Sequence, residues 1–187
     1  MSLPPTPQQA LDLFASPQTI SVFKFYEELG LQPSLIGDGD TIYMQVPVHE
    51  FDIDLVTQID PKTNLLVCAL IVPLDVKETH MDAVLELMMR ANLEVNFGCY
   101  EYDYDRKQLI FRLTNIFVNT EFEKDILSSI LNTSFTSLDE FCVCLVRVMQ
   151  TPDHLIGGLS IRFLLEKSDF LIGDDEEFEE NKGEGKA

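Results

Sequence analysis

Three histidines, four cysteines and a row of alternating tyrosines are the side chains of this sequence best equipped for chemistry. His49, His80 and His154 lie far apart, with no H-x-x-x-H or H-E-x-x-H spacing to set two imidazoles on one helical face around a metal. Cys68, Cys99, Cys142 and Cys144 lack the C-x2-C or C-x4-C pairs of a structural zinc site, and Cys142-Val143-Cys144 on a helix would point its thiols to different faces. Each cysteine sits in an otherwise apolar segment, where a free thiol behaves as a small hydrophobe. Reduced core residues are therefore expected.

The carboxylates give no firmer lead. Asp52 and Asp54 could act as acid and base or hold magnesium, but their spacing sets both on the polar face of a strand, where solvated charge is expected. A calcium loop starting at Asp103 would need Gly and Glu where the chain has Gln108 and Thr114. Gly37-Asp38-Gly39 lacks a third glycine and precedes a strand, so it does not match a dinucleotide fingerprint. Neither a G-x-x-x-x-G-K-[ST] nor a G-x-S-x-G motif is present. Tyr100, Tyr102 and Tyr104 could stack nucleobases, yet they alternate with Glu101, Asp103 and Asp105 instead of lysine and arginine. Core or protein contact is the expectation there. No catalytic residue, metal or cofactor is expected, and the chain is not expected to be an enzyme.

Charge narrows the partners. The 187 residues carry 13 Lys and Arg against 32 Asp and Glu, a formal net charge of -19. Such a surface repels phosphate backbones and anionic headgroups, so neither nucleic acid nor membrane is an expected partner. With 45% apolar residues, 13 of them Phe, there is ample material for one core. The start, Met1-Ser2-Leu3-Pro4-Pro5-Thr6-Pro7, shows no basic stretch followed by an apolar one, and the longest apolar run, Leu65 to Pro73, is about half the ~20 residues of a membrane-spanning helix. A cytoplasmic location is the expectation.

Periodicity supplies the elements that would position these residues. Residues 1–18 are expected to be flexible, with a short helical candidate at Gln8 to Phe14. A helix follows, capped by Ser16 or Thr19 and ending at Gly30. Leu35 to Asp40 is turn chemistry. Thr41 to Val48 alternates strictly, Phe51 to Ile59 continues the period of two, and Asp60 to Asn64 turns the chain into Leu65 to Val72. That third strand is apolar on both faces. Thr79 and Asp82 predict a capping box ahead of a helix striped by Met81, Val84, Leu85, Met88 and Ala91. Asn96 to Tyr104 and Gln108 to Ile116 predict a second hairpin. Thr120 and Glu123 predict another capping box, for one long helix or two close ones ended by Pro152. Leu155 to Leu171 reads as a last helix, interrupted at Gly157-Gly158. From Asp169 to Ala187 there are eight acidic and two basic residues, so 172–187 is expected to be a disordered acidic tail and 19–171 a single domain.

This order of elements, with Asn96-Phe-Gly-Cys-Tyr-Glu-Tyr-Asp-Tyr-Asp105 and Gln108-Leu-Ile-Phe-Arg112 between an amphipathic helix and a long one, resembles the YbjN family of proposed bacterial sensory transduction regulators, over about Ser21 to Gln150. The resemblance implies the fold of type III secretion chaperones: α+β, an antiparallel sheet of about five strands with helices on one face, in the order α-β-β-β-α-β-β-α. Those chaperones are small, acidic, cytoplasmic and usually dimeric, bind extended effector segments and have no catalytic residues. The acidic tail and the segment after Pro152 fall outside the family pattern.

A non-enzymatic protein-binding module follows as the expectation: a homodimer, acting as a regulator or chaperone-like adaptor for a client segment. The alternative is a dedicated secretion chaperone for one effector, and a third is an enzyme using surface carboxylates and a divalent metal. Leu66, Cys68, Leu70 and Val72, with Tyr100 and Tyr102, are the residues expected at the dimer or partner surface. Leu70→Asp would then separate a dimer while sparing the fold.

Overall fold

The structure, a computed structural model, describes residue 13 and residues 15–37, 39–49, 51–119 and 122–168. Apart from Leu13, the helical candidate at Gln8 to Phe14 lies outside the described residues, as do Thr120 and the acidic tail.

Six strands make one antiparallel sheet. They are β1 (Ser34–Ile36), β2 (Thr41–Val48), β3 (Phe51–Asp60), β4 (Leu65–Pro73), β5 (Cys99–Asp103) and β6 (Gln108–Ile116), in the spatial order β1-β2-β3-β4-β6-β5. Helices α1 (Pro17–Glu28), α2 (Met81–Glu94) and α3 (Lys124–Gln150) pack on the sheet, and α4 (Ile161–Ser168) packs on α2 and α3. The fold is α+β, with six strands where the sequence predicts five. The extra strand β1 is only three residues long and overlaps the segment read as a turn, too short to establish a period of its own.

Local chemistry explains the boundaries. Ser16 caps α1 by accepting the Thr19 backbone N–H at 3.2 Å, Pro17 opens the helix where its missing N–H costs nothing, and Gly30 follows the last turn at φ 78°. The β3–β4 and β5–β6 turns use one device: Asp60 accepts from Lys62 N–H and Thr63 Oγ1–H, Asp103 accepts from the N–H groups of Asp105 and Arg106, and each turn ends in a left-handed residue, Asn64 or Lys107. β5 starts at Cys99, three residues later than expected, because Gly98 is at φ 89° and breaks the strand.

The predicted Thr79–Asp82 capping box does not form. Thr79 lies in a 3-10 turn, Glu78–His80, and its hydroxyl bonds His80 Nδ1 at 2.9 Å, while α2 begins at Met81 without a side-chain cap. Glu123 is itself the residue before α3 and caps nothing with its side chain. The long helix is continuous for 27 residues, and the chain after Pro152 makes a 3-10 turn, Ile156–Gly158, before α4.

Asp40 joins sheet and helix. Its Oδ1 accepts from the Ser16 N–H at 3.1 Å and from Thr19 Oγ1–H at 2.7 Å. Burial pushes this carboxyl up, but the hydrogen bonds from Thr19 and Ser16 outweigh burial and hold it below the ordinary aspartate value. A group with a depressed folded pKa stabilises the fold fully above its unfolded pKa of ~3.9, and that contribution is lost as pH falls through the lower folded value. Asp40→Asn is therefore expected to cost about 1–2 kcal/mol at neutral pH and to leave a protein whose melting temperature falls less between pH 5 and pH 3. Thermal melts at the two pH values check it, and equal acid sensitivity in variant and parent would count against this role.

Candidate functional site

The sheet has an inner and an outer set of side chains, and the described helices cover the inner one. On β4, Leu66, Cys68, Leu70 and Val72 point to the helices and are 0–1% exposed. Their strand neighbours are in phase: Ile59 faces Leu66, Leu55 faces Leu70, and Leu113 and Phe111 lie opposite Cys68 and Leu70 from β6. The expectation that these four residues form a partner surface is thus corrected, because the chain's own helices already enclose them. Tyr100 belongs to the same interior, stacked on Phe141 with ring centroids 4.3 Å apart, its hydroxyl donating to the Ser137 carbonyl at 2.5 Å. Tyr102 is half-buried on the helix side and meets Tyr104 edge-on at 5.1 Å. Tyr104 itself lies past the end of β5 and is 64% exposed, so the three tyrosines do not form one platform.

The outer set is the unexpected feature. Leu65, Val67, Ala69 and Ile71 alternate with the buried four and are only half-buried, and among the described residues they are not packed against the core that the helices cover. Val56 of β3 and Ile110 of β6 pair with Ala69 and Ile71, and Ile116, 68% exposed, pairs with Leu65. Together they form an apolar band across the middle of the sheet. One transverse row runs through all six strands: Ser34, Tyr43, Val56, Ala69, Arg112 and Cys99.

Two polar clusters flank this band. On the β2–β3 side, Tyr43 donates its hydroxyl to Asp54 Oδ1 at 2.8 Å and Gln45 donates to the same oxygen at 3.2 Å. That hydrogen bond to Asp54 is also the main reason the Tyr43 phenol is raised. On the β5–β6 side, Arg112 forks onto Glu101, with Nε 3.1 and 3.2 Å from the two carboxylate oxygens and a shorter contact from Nη2. The guanidinium holds the Glu101 carboxyl below its ordinary range. Cys99 lies beside the pair, its Sγ 3.5 Å from Glu101, and burial followed by the Glu101 carboxylate raises the thiol. A raised thiol stays protonated and weakly nucleophilic at neutral pH.

The remaining candidates are dispersed. Cys68 and Cys142 are core residues whose thiols burial pushes up to about 12, and Cys144 is buried beside α4, its Sγ 3.7 Å from the Leu164 carbonyl. None of the four cysteines is in a disulfide. Cys99 alone departs from the expected core placement. Both thiols of Cys142-Val143-Cys144 can be buried because α3 lies between the sheet and α4. His49 pairs with Asp139 at 2.8 Å on the surface, and His154 is exposed after α3. His80 is 1% exposed and bonds the Thr151 carbonyl through Nε2 at 2.7 Å, tying the start of α2 to the end of α3. Asp52 is exposed, and Asp54 is engaged as described. Among the described residues, no three His, Cys, Asp or Glu side chains cluster as metal ligands, and no helix is long and apolar enough to cross a membrane.

The fold and site define an α+β protein whose antiparallel sheet carries helices on one face and an apolar band on the other. Among solved structures it is similar to an uncharacterized protein from Methanothermobacter thermautotrophicus, with a TM-score of 0.51 and 15% identity over 71% of this chain and 99% of that one. Lower likenesses join it to YbjN from E. coli, described as a candidate transcription regulator (TM-score 0.49, 9% identity, 65% of this chain and 86% of that one), and to the HopA1–SchA chaperone–effector complex (TM-score 0.43, 16% identity, 71% and 94%). At these identities the likeness is one of fold alone. No protein-family model matches the sequence, and no curated protein matches it.

Proposed function

We propose that this chain is a non-enzymatic protein-binding module that dimerises through the outer face of its sheet. The observation that carries the reading is β4: a central strand with two apolar faces, of which the described helices cover one. Exposed apolar area of this kind gains free energy when another surface removes it from water, at about 25 cal/mol per Å².

Size supports a second copy as the occupant. Strands spaced ~4.8 Å apart and rising ~3.3 Å per residue give this face roughly 650 Å², close to the ~800 Å² that each partner contributes to a standard interface. The polar clusters frame the apolar band as a hydrogen-bonded rim frames the core of an interface. A two-fold axis through the band would set β4 against β4, burying Val67, Ala69 and Ile71 with their counterparts. The same face, occupied instead by an apolar segment of another protein, would make the module an adaptor.

Light scattering on the full chain tests the proposal. A mass near twice 21.3 kDa is expected, and a monomer at every concentration up to the solubility limit would overturn the dimer.

A further inference from the structure

We propose that Asn92 seals the free edge of β5 against pairing with the β5 edge of a second copy of this chain. β5 is the last strand of the sheet, so one side of its backbone pairs with β6 and the other has no described strand beside it. Tyr100 shows which groups face that open side. Its N–H donates to Asn92 Oδ1 at 2.7 Å and its carbonyl accepts from Asn92 Nδ2 at 3.0 Å. A carboxamide carries the donor and the acceptor of a peptide group. This one exposed side chain, from the last turn of α2, therefore fills the place of an incoming strand.

The edge that Asn92 covers is self-complementary. Backbone groups alternate in direction along an antiparallel strand, so Tyr102 presents its N–H and carbonyl outward as Tyr100 does. Among the described residues no side chain takes up the Tyr102 pair. Two β5 strands set antiparallel about Glu101 would bring Tyr100 of each copy opposite Tyr102 of the other. Each such pair exchanges two hydrogen bonds, and together they join two sheets into one. Glu101 would meet its own counterpart there, but the forked bond from Arg112 already offsets its charge within each copy.

An open edge of this kind templates unwanted pairing, and folded sheets block it by shortening or covering the strand. Both devices are present here. Gly98 at φ 89° ends β5 on one side and the Asp103-led turn ends it on the other, leaving Tyr100 and Tyr102 as its outward positions. Asn92 occupies the first of them, and a lone Tyr102 cannot hold a strand. None of these residues belongs to the outer face of the sheet, so the inference stands or falls apart from the dimer.

The test compares the full chain with Asn92→Ala and Asn92→Asp, by light scattering over a dilution series and by amide hydrogen exchange. Asn92→Ala frees the Tyr100 groups, so self-association through β5 is expected to tighten by at least about tenfold. Its Tyr102 amide should exchange more slowly as protein concentration rises. Asn92→Asp keeps the acceptor for the Tyr100 N–H and sets a charge on the edge, so it should associate no more tightly than the parent. A parent that already pairs through the outer face would carry two open edges per dimer after Asn92→Ala and grow beyond twice its mass. A monomeric parent would give a dimer, so the gain over the parent is read in either case. In the parent, the Tyr100 amide should exchange at least about tenfold more slowly than that of Tyr102. A folded Asn92→Ala of parental mass, an equal gain in Asn92→Asp, or equal exchange of the two parental amides would each overturn the proposal. The last comparison decides the matter even where neither variant folds.

Discussion

Val67→Asp is expected to convert the proposed dimer to a monomer while the chain stays folded, and Leu70→Asp, three residues along the same strand, is expected to unfold it. Val67 is half-buried on the outer face, and its strand neighbours are Gln58 and Thr114, so a carboxylate there stays hydrated and meets no like charge opposite. Loss of β-propensity should cost the monomer about 1 kcal/mol, a fall of a few degrees in melting temperature. At a two-fold interface the same change places two unpaired carboxylates in the buried band, where the cost of at least ~3 kcal/mol weakens association by more than about a hundredfold. Leu70 is 0% exposed between Leu55 and Phe111, where a carboxylate finds no water. An uncompensated buried charge costs about 4 kcal/mol or more, much of the 5–15 kcal/mol that holds a domain together. Light scattering and circular dichroism on the two variants separate the effects. A folded dimer from Val67→Asp would remove the outer face from the interface.

Those two residues also mark how far the sequence can be read. That β4 is apolar on both faces is visible in Leu65 to Val72 without any structure. Which face the helices take is visible only through register. Asp60 pairs with Leu65 across the four-residue loop, so paired positions sum to a constant, and the apolar Ile59 and Leu55 fall opposite Leu66 and Leu70 while Asp54 falls opposite Ile71. A residue facing the strongly apolar set of its neighbour belongs to the interior, and one facing an aspartate does not. Counting that register assigns the outer face to Val67, Ala69 and Ile71; strand periodicity alone leaves the two faces equivalent.

Other features had weaker signals or none. The capped start of α1, the Asp-led turns and the long α3 each follow from short-range chemistry at named residues, and they form where the residues require. The polar clusters on the outer face depend on cross-strand neighbours: Arg112 reaches Glu101 only because β5 pairs with β6, and Tyr43 reaches Asp54 only because β2 pairs with β3. A cleft on the helix side is more distant still, lined by residues from α2, β5, α3 and α4 that no spacing in the sequence connects. Chemistry assembled across elements is legible only after the elements have been placed.

Gly98→Ala carries the second large effect. Gly98 sits at φ 89°, outside the comfortable range of an L-residue, and a methyl group there would lie 2.6 Å from Phe111 Cζ and 3.0 Å from the Arg112 carbonyl oxygen. Backbone strain of about 1–2 kcal/mol adds to overpacking of about 1–3 kcal/mol, because Phe111 is fully buried against Tyr100 and has no room to turn away. The expected loss is roughly 2–5 kcal/mol, a fall of about 4–20 °C in melting temperature for a domain of this size. Gly157→Ala is the contrast: nothing lies within 4 Å of its added methyl and its backbone is not left-handed, so a change within about 0.5 kcal/mol is expected. Thermal melts of the pair isolate the contact from the general effect of removing a glycine. A Gly98→Ala variant as stable as the parent would refute the packing of β5 on Phe111.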